Sequence, residues 1–307
     1  MPADTSARLV LSCLLVTWSL LTIGSAAAQE LAPRAYWPAP VGTNVASVAY
    51  QRNSGDILID PSLPITGVES EIDYLQVGYQ RYFSLFERTA TVQVSLPYAD
   101  GFTEGVIEGE LARRNTRGLT DARLRLTINL RGAPAMDIAG FQALRADPKT
   151  IIGASVLVQA PTGDYDGDRL INLGTNRWAV KPALGMILPL HPTWLFEMEV
   201  GAWIYGDNDD FLGETREQDP IISTEFHLIK RILPGFWASL DANFYTGGET
   251  RIGGEFRDDL QRNSRAGLTF VFPIQGRHAI RAGFSTGLST RSGGDFQMYS
   301  LSWVYAW

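Results

Sequence analysis

The chain has 307 residues, a formal net charge of −7 and a mean hydropathy of −0.04. An acidic balance with scattered basic residues argues against a nucleic-acid-binding protein, because such proteins concentrate positive charge on one surface. After the first residues, no apolar run approaches the ~18 residues of a spanning helix, which excludes a helical membrane protein. Mean hydropathy near zero fits soluble proteins and membrane β-barrels alike, so periodicity has to decide between them.

The N-terminus is typical of a secretory signal peptide. A mainly apolar run from Leu9 to Ile23 follows Arg8, and the small residues Ala26-Ala27-Ala28 come next. Because the run is shorter than the ~20 residues that a spanning helix needs, we predict Sec-dependent export and cleavage after Ala28 rather than a membrane anchor. The single cysteine, Cys13, lies within this signal, so the mature chain is expected to carry no thiol and no disulfide.

Alternation of apolar and polar residues is the main structural signal after residue 43. In the clearest case, from Asp121 to Arg131, one face carries Ala122, Leu124, Leu126, Ile128 and Leu130, and the other carries Arg123, Arg125, Thr127, Asn129 and Arg131. A two-residue period predicts a β-strand, and its length matches the ~9–11 residues of a tilted strand that crosses a bilayer. We therefore expect the apolar face to meet lipid and the polar face to line a lumen.

The same period recurs to the end of the chain and predicts about twelve strands. Clear examples lie at residues 89–96, 152–158, 178–188, 194–200, 225–228, 236–244, 268–272 and 280–284, with weaker ones near 44–50 and 72–83. We predict an all-β fold in which residues 43–307 form a transmembrane antiparallel β-barrel with both termini periplasmic. The competing architecture, a secreted β-sandwich, would have strands that average ~5–6 residues and fewer long alternating runs.

The connectors support an even number of strands. Short turns are predicted at residues 84–88, 189–193, 230–235 and 273–277, and they alternate with long polar loops at 53–70, 99–118, 161–176, 206–219 and 246–262. Residues 29–42 are then a periplasmic N-terminal segment on the side of the short turns. One long connector, 132–149, also falls on that side, where Met136, Phe141 and Leu144 predict a small amphipathic helix.

Aromatic residues mark the expected membrane boundaries and the end of the chain. The outer boundary is assigned Tyr98, Trp178, Tyr205 and Tyr245, and the inner one Trp194, Phe236 and Trp307. One face of the last strand carries Tyr299, Leu301, Trp303, Tyr305 and Trp307. This ending resembles the C-terminal insertion signal of bacterial outer-membrane barrels, which engages the barrel-assembly machinery. We therefore expect location in the bacterial outer membrane, in contact with the lipid bilayer and lipopolysaccharide.

Several longer motifs add a family resemblance. They include Pro33-Arg34-Ala35-Tyr36, Gly118-Leu119-Thr120-Asp121-Ala122-Arg123-Leu124-Arg125, Ala160-Pro161-Thr162-Gly163-Asp164-Tyr165-Asp166 and Leu173-Gly174-Thr175-Asn176-Arg177-Trp178. With further matches they cover nearly the whole mature chain, which resembles bacterial outer-membrane transporters of the phenol meta-degradation pathway type. The resemblance implies a barrel that passes small solutes, including aromatic or other organic molecules. It carries over no established catalytic or binding residue.

Charged residues in the polar phase of the strands are the first candidate site. The basic candidates are Arg123, Arg125, Arg131, Lys181, Arg265 and Arg281, and the acidic or titratable ones are Glu197, Glu199, Glu225, His227 and Asp241. Opposite charges that face each other across a water-filled constriction select solutes by charge. Alternatively, these residues pair with one another and fill a closed barrel.

Two further candidates are weaker. The carboxylates of Asp164–Asp168 and Asp207–Asp210 could hold Ca²⁺ or bridge to lipopolysaccharide, but Asp beside Gly or Asn more often forms turns. Ser223 and His227 have the residue types of a hydrolase, yet they stand ~13 Å apart along one strand, too far for a hydrogen bond. The three histidines are scattered. We predict no catalytic residue, metal site or cofactor.

A passive channel for small solutes is the function that these observations favour. The sequence has no phosphate-binding loop, so no nucleotide is expected to drive transport, and no nucleic-acid partner is expected either. The alternatives are an outer-membrane barrel hydrolase that acts on lipid, and a closed structural barrel whose loops meet a surface partner.

Overall fold

The computed structural model describes residues 32–58, 65–107 and 109–307. The signal peptide predicted at residues 1–28 lies outside the described residues and stays a prediction. The strands are β1 (Asn44–Leu58), β2 (Ile65–Leu85), β3 (Arg88–Ile107), β4 (Glu110–Leu119), β5 (Arg123–Arg131), β6 (Ile151–Gln159), β7 (Ala179–His191), β8 (Trp194–Tyr205), β9 (Asn208–Phe211), β10 (Glu214–Gln218), β11 (Ile221–Leu233), β12 (Phe236–Gly247), β13 (Thr250–Ile252), β14 (Glu255–Phe256), β15 (Gln261–Pro273), β16 (His278–Ser289) and β17 (Gly293–Ala306). A helix, α1 (Ile138–Ala146), lies between β5 and β6.

The main sheet closes into the antiparallel barrel of twelve strands that the periodicity predicts. Strand β1 pairs with β2 on one side and with the C-terminal strand β17 on the other, so no edge remains at this junction. The short strand β4 adds no position around the barrel. It pairs with the second half of β3, whereas β5 pairs with the first half of the same edge.

The two ends of the barrel differ in their connectors. We call the end that carries Asn44 and Trp307 the terminal end and the opposite end the loop end. Short turns join the strands at the terminal end, as predicted, for example at Leu85–Arg88 and Leu233–Phe236. At the loop end, the connectors that hold β9, β10, β13 and β14 form a second, four-stranded sheet.

Two loop assignments are wrong. Residues 53–70 were assigned to a loop, but β1 continues to Leu58 and β2 begins at Ile65, and the two strands pair as far as Asp56 and Glu69. Residues 99–118 were expected to form a loop, but β3 and β4 continue through most of this stretch as a paired extension of the wall. The alternation is weak here because both faces of an extension beyond the membrane meet water, so no apolar face marks the strand.

The outer surface of the barrel is apolar, as contact with lipid requires. Large side chains stand exposed on it around the barrel, among them Leu75, Val77, Leu124, Leu126, Leu184, Leu240, Leu268, Phe270, Leu301 and Trp303. Because the interior faces of the same strands carry polar groups, the fold is that of a transmembrane barrel. In the described part of the chain, no helix is long and apolar enough to cross a membrane.

Two of the predicted boundary aromatics face inward instead of outward. Tyr98 and Trp178 are exposed on the outer surface, as expected. Tyr245 is buried, and Tyr205 packs against the same interior cluster with Trp203. The residue period decides the face, and these two tyrosines share the interior phase of β12 and β8 with polar neighbours.

The helix α1 closes the terminal end from within, at the site where a small amphipathic helix was predicted. Asp137 caps its N-terminus by accepting a hydrogen bond from the Gly140 N–H at 2.8 Å. Phe141 is fully buried, and Met136 and Leu144 pack against the same core. The terminal end is therefore a packed plug rather than an open mouth.

The C-terminal strand has the two faces that the sequence predicts. Tyr299, Leu301, Trp303 and Trp307 are exposed, while Val304 and Ala306 are buried. Backbone hydrogen bonds of 2.9 Å in both directions between Trp307 and Asn44 complete the closure. The role of this strand in assembly stays a prediction.

Candidate functional site

The structure brings most of the predicted charged residues together on the lumen wall. Nine of them are buried or nearly so inside the barrel: Arg125, Lys181, Glu197, Glu199, Glu225, His227, Asp241, Arg265 and Arg281. Arg123 also faces inward and donates a hydrogen bond to Gln159 at 3.2 Å. Glu197 and Glu199 lie on β8, three strands round from Arg123 and Arg125 on β5, as expected.

Arg131 is the exception. The register of β5 shifts between Asn129 and Arg131, so Arg131 stands opposite the outward-facing Ile152 and is exposed. A bulge adds one residue to the strand and reverses which face the next side chain takes. Arg131 is therefore not a lumen residue, and uninterrupted alternation predicted the wrong face for it.

Six of these residues form a continuous charge belt across neighbouring strands. The Lys181 ammonium lies 2.9 Å from Glu199 and 3.0 Å from Glu225, and Arg125 forms an ion pair with Glu199 as well. On the other side of Glu225, the His227 ring lies 3.7 Å away and contacts Asp241 at 2.8 Å. Opposite charges thus alternate along the belt, from Arg125 to Asp241, and each carboxylate has a basic neighbour.

A stretch near the N-terminus, residues 32–40, lies inside the barrel beside this belt, and we call it the lumen segment. The backbone N–H of Ala32 donates to Glu225 at 3.4 Å, and that of Arg34 donates to Glu197. The Tyr36 hydroxyl donates to Glu199 at 2.8 Å. The expected periplasmic N-terminal segment, residues 29–42, therefore lies in the lumen from residue 32 to residue 40; its side of the membrane stays a prediction.

Two glycines make room for the lumen segment. Gly153 and Gly185 stand opposite each other on β6 and β7. A Cβ atom on Gly153 would come within 2.3 Å of the Tyr36 ring, and one on Gly185 within 1.9 Å. Glycine inside a strand often marks a close approach of other groups. This pair is the sequence signal that could have indicated an occupied lumen.

Aromatic packing holds the lumen segment at the terminal end. The Arg34 guanidinium lies 4.6 Å from the Trp37 ring centre and 5.2 Å from that of Trp237. Burial lowers the pKa of Arg34 to about 9, while the negative charge of Glu197 acts in the opposite direction. Trp37 itself is 2% exposed and belongs to the core at the terminal end.

The free volume of the lumen falls from the loop end to the terminal end. A vestibule of about 510 Å³ opens among the loop-end strands, and an inner chamber of about 320 Å³ lies next to it. Both are lined by Arg216, Gln218 and Gln261, so they adjoin. Beside Ala32 and Ala35 of the lumen segment lies a space of only about 20 Å³, and a space of about 40 Å³ lies farther round the wall near Asp241 and Arg281. Spaces of that size hold little more than one water molecule each.

His227 is placed for charge pairing and not for general-base catalysis. One ring nitrogen contacts Asp241, but the other faces the carboxylate of Glu225 rather than a hydroxyl group. Ser223 lies on the same strand as His227, and Glu225 stands between them. A hydrolytic serine needs its base within hydrogen-bond reach, and this arrangement does not supply one.

The loop carboxylates act mainly in turns. Asp166 accepts a hydrogen bond from the backbone of Asp168 at 3.1 Å and pairs with Arg169, and Asp164 accepts from the backbone of Leu119. Among the described residues, no group of three or more His, Cys, Asp or Glu side chains could hold a metal ion. These contacts fit the solvated-turn interpretation.

Comparison with solved structures agrees with the barrel. The chain is similar to the COG4313 outer membrane channel from Pseudomonas putida F1, with 23% identity, a TM-score of 0.73, and coverage of 90% of this chain and 99% of the other. It is also similar to the transport unit of the autotransporter AIDA-I from Escherichia coli, with 10% identity, a TM-score of 0.50, and coverage of 98% of both chains. These likenesses establish the barrel fold.

Comparison at the level of sequence gives the family. No curated protein matches the chain. The sequence model of one family, described as "Putative MetA-pathway of phenol degradation", matches residues 48–304, which is nearly the whole barrel. The chain belongs to this family, as its motifs suggested.

Proposed function

We propose that the protein is a channel of the bacterial outer membrane that takes up small organic solutes passively, and that the lumen segment gates it. The observation that carries this proposal is the stepwise cavity, lined by both charged and apolar groups, from a vestibule of about 510 Å³ through a chamber of about 320 Å³ to the lumen segment. A membrane barrel with a charged, solvent-filled interior is suited to conduct solutes.

The lumen segment has to move for a solute to pass. The space beside Ala32 and Ala35, about 20 Å³, is too small for an organic molecule. Its bonds to the belt are made by single groups, such as the Tyr36 hydroxyl on Glu199, and not by strand pairing. A segment held in this way can leave the lumen without breaking the barrel wall.

The charge belt is the proposed selectivity element. Because Arg125 already pairs with Glu199, and Lys181 with both Glu199 and Glu225, the belt also stabilises the wall. Its charges form a transverse field for a solute only when the lumen segment is displaced and water enters. Arg265 and Arg281 contribute positive charge farther round the wall.

Location and partners follow from the same proposal. Export through a signal cleaved after Ala28, insertion by the barrel-assembly machinery through the C-terminal strand, and contact with lipopolysaccharide are proposed with it. The description of the family refers to phenol degradation, which makes aromatic compounds the first solutes to examine. The lipid-hydrolase alternative is disfavoured by the position of His227, whose second nitrogen faces Glu225.

Conductance in planar lipid bilayers tests the proposal. We compare the mature chain, a variant that lacks residues 29–40, and Tyr36→Ala, with the outer-surface change Tyr299→Ala as a control. Removal of the segment should raise the conductance several-fold, Tyr36→Ala should raise the open fraction, and Tyr299→Ala should change neither. If all four proteins fold, as heat-modifiability on gels can verify, and none conducts, the barrel is a closed structural one.

A further inference from the structure

The inner chamber is a cavity whose charged lining residues are mostly arginines. Three arginines line it, Arg123, Arg177 and Arg216, together with the carboxylate of Asp121. It adjoins the vestibule, so a solute from the loop end reaches it before it meets the lumen segment. Its volume of about 320 Å³ lies at the lower end of the range for small-molecule sites.

The carboxylate of Asp121 is already engaged by groups other than the arginines. It accepts hydrogen bonds from the backbone and the hydroxyl of Thr175, at 3.0 and 2.6 Å, and from the backbone of Gly163 at 2.9 Å. The side-chain amide of Gln159 donates to it at 3.0 Å. Asp121 therefore organises the loop around the chamber and leaves positive charge in excess.

Arg177 and Arg216 retain unused donors. Arg177 is 8% exposed, and its Nη1 atom has no hydrogen-bond partner among the residues that the structure describes. The same holds for Nε of Arg216, and within the described ranges neither arginine forms an ion pair at 4.0 Å or less. Buried guanidinium groups are normally paired with a carboxylate or phosphate, because an unsatisfied buried charge is costly.

The two arginines also repel each other. Burial and the neighbouring charge of Arg216 lower the pKa of Arg177 to about 10, and burial lowers the pKa of Arg216 although the neighbouring carboxylate of Asp259 acts in the opposite direction. An anion between them would offset both effects. Guanidinium groups recognise planar carboxylates through two parallel hydrogen bonds.

Three aromatic residues also line the chamber, Tyr74, Trp203 and Tyr205. Trp203 and Tyr205 stack with ring centres 6.3 Å apart and an interplanar angle of 10°. The Arg177 guanidinium lies 4.6 Å from the Tyr205 ring centre, so the cationic and aromatic parts of the wall are continuous. Tyr74 lines the chamber from another strand. Flat aromatic surfaces beside a fixed cation suit a ligand that combines a ring with a negative charge.

We propose that the inner chamber binds a small aromatic carboxylate, whose carboxylate pairs with Arg177 and Arg216 while its ring lies against Tyr74, Trp203 and Tyr205. This deepens the proposed function, on which it rests, by naming the class of solute. Binding to the chamber before the lumen segment opens would raise the local concentration of such solutes in the lumen.

Isothermal titration calorimetry on the folded, detergent-solubilised barrel tests the proposal, with benzoate as the probe. Benzyl alcohol, cyclohexanecarboxylate and sulfate separate the contributions of charge, aromatic ring and bare anion. Arg177→Gln and Arg216→Gln should each weaken benzoate binding by ~10-fold or more, the loss expected for a charge-assisted hydrogen bond. The exposed Arg131→Gln is the matched control and should bind as the parent does.

Benzoate should bind at least several-fold more tightly than each of the three other probes. The proposal is overturned if benzoate does not bind, if both arginine variants keep the parent affinity, or if sulfate or cyclohexanecarboxylate binds as well as benzoate. Each arginine variant is checked for folding by heat-modifiability, and either one alone is sufficient for the test. Conductance without benzoate binding would refute only the chamber site, and benzoate binding without conductance would refute only the channel.

Discussion

The terminal end and the loop end of the barrel share one wall but have opposite interiors. At the terminal end, inward-facing Ile151, Ile187, Leu195 and Ile229 are fully buried against the lumen segment and α1. At the loop end, charged and apolar side chains together line an open vestibule, among them Arg114, Arg257 and Ile252. Apolar inward residues also occur toward the loop end, where Trp203 and Ile221 pack in a small cluster and Ile57 and Val68 line the vestibule, but they form no continuous plug there.

This contrast shows that the inward-facing residues of a barrel strand indicate whether protein or water fills the lumen beside them. Apolar residues in both phases of β7 near its terminal end indicate a plugged lumen, and polar residues in the inward phase indicate a wet one. The charge belt lies at the boundary between the two, where Tyr36 reaches Glu199.

Closure of the barrel should depend on the terminal strand and not on the loop-end sheet. Trp303→Ser with Tyr305→Ser removes the outer aromatic face beside the β1–β17 junction, and we expect almost no assembled protein in the outer membrane. Phe256→Ser in β14, where Phe256 is 64% exposed, should assemble normally. Membrane fractionation with heat-modifiability measures both, and normal levels of the double variant would show that the C-terminal signal was misread.

Ion pairs should matter in the belt and hardly at all at the loop end. Lys181→Met leaves Glu199 and Glu225 without their shared cation, and breaking such a buried pair costs ~3–5 kcal/mol. Arg251→Met removes a pair with Glu217 whose partners are 38% and 40% exposed, and exposed pairs contribute ~0–1 kcal/mol. Urea unfolding in detergent compares the two variants. Equal losses of unfolding free energy would mean that water reaches the charge belt as readily as it reaches the loops.

The apolar surface that contacts lipid should not include the β3–β4 extension at the loop end. Leu126→Arg on β5 places a charge toward lipid and should cost ~2–4 kcal/mol near the bilayer midplane. Leu111→Arg on β4, where Leu111 is 75% exposed, should cost little because the extension stands in water. Folding free energies in lipid vesicles measure both changes. A similar cost for both would place the extension inside the membrane.

The site where Gly153 and Gly185 contact the Tyr36 ring should be sensitive to the addition of one methyl group. Gly185→Ala places a Cβ atom against the Tyr36 ring, so it should displace the lumen segment, raise the conductance, and cost ~1–3 kcal/mol, as overpacking does. Gly283→Ala is the control, because there the added atom meets only the Ser300 hydroxyl. In a Tyr36→Ala background, Gly185→Ala should have little further effect, and an undiminished effect would remove Tyr36 from the explanation.

Sequence reasoning reached the barrel wall because lipid imposes one apolar face on every strand. The alternation from Arg123 to Asn129 therefore predicted strand and face correctly, although the strand begins two residues later than the predicted Asp121. The prediction failed where a strand does not contact lipid and where the alternation is interrupted. The β3–β4 extension meets water on both faces, and the shift between Asn129 and Arg131 depends on local register, which single-strand periodicity does not encode.

The contents of the lumen were harder to predict than its wall. Residues 32–40 follow no strand or helix period, because their backbone is held by side chains of distant strands such as Glu197 and Glu225. The chamber arginines Arg177 and Arg216 lie in loop-end segments and not in the alternating runs, so the search for lumen charges passed over them. Only Gly153 and Gly185 carried a local signal of the occupied lumen.

Thiol reactivity tests most directly whether the lumen segment occupies the barrel. The only cysteine, Cys13, lies in the predicted signal, so single cysteines in the mature chain give an unambiguous signal. Ala39 is 0% exposed and Val41 is 42% exposed, only two residues apart. In the folded protein, Ala39→Cys should react with a water-soluble maleimide more than ~10-fold more slowly than Val41→Cys, since reaction requires local opening. Equal rates in the folded barrel would contradict a segment docked in the lumen.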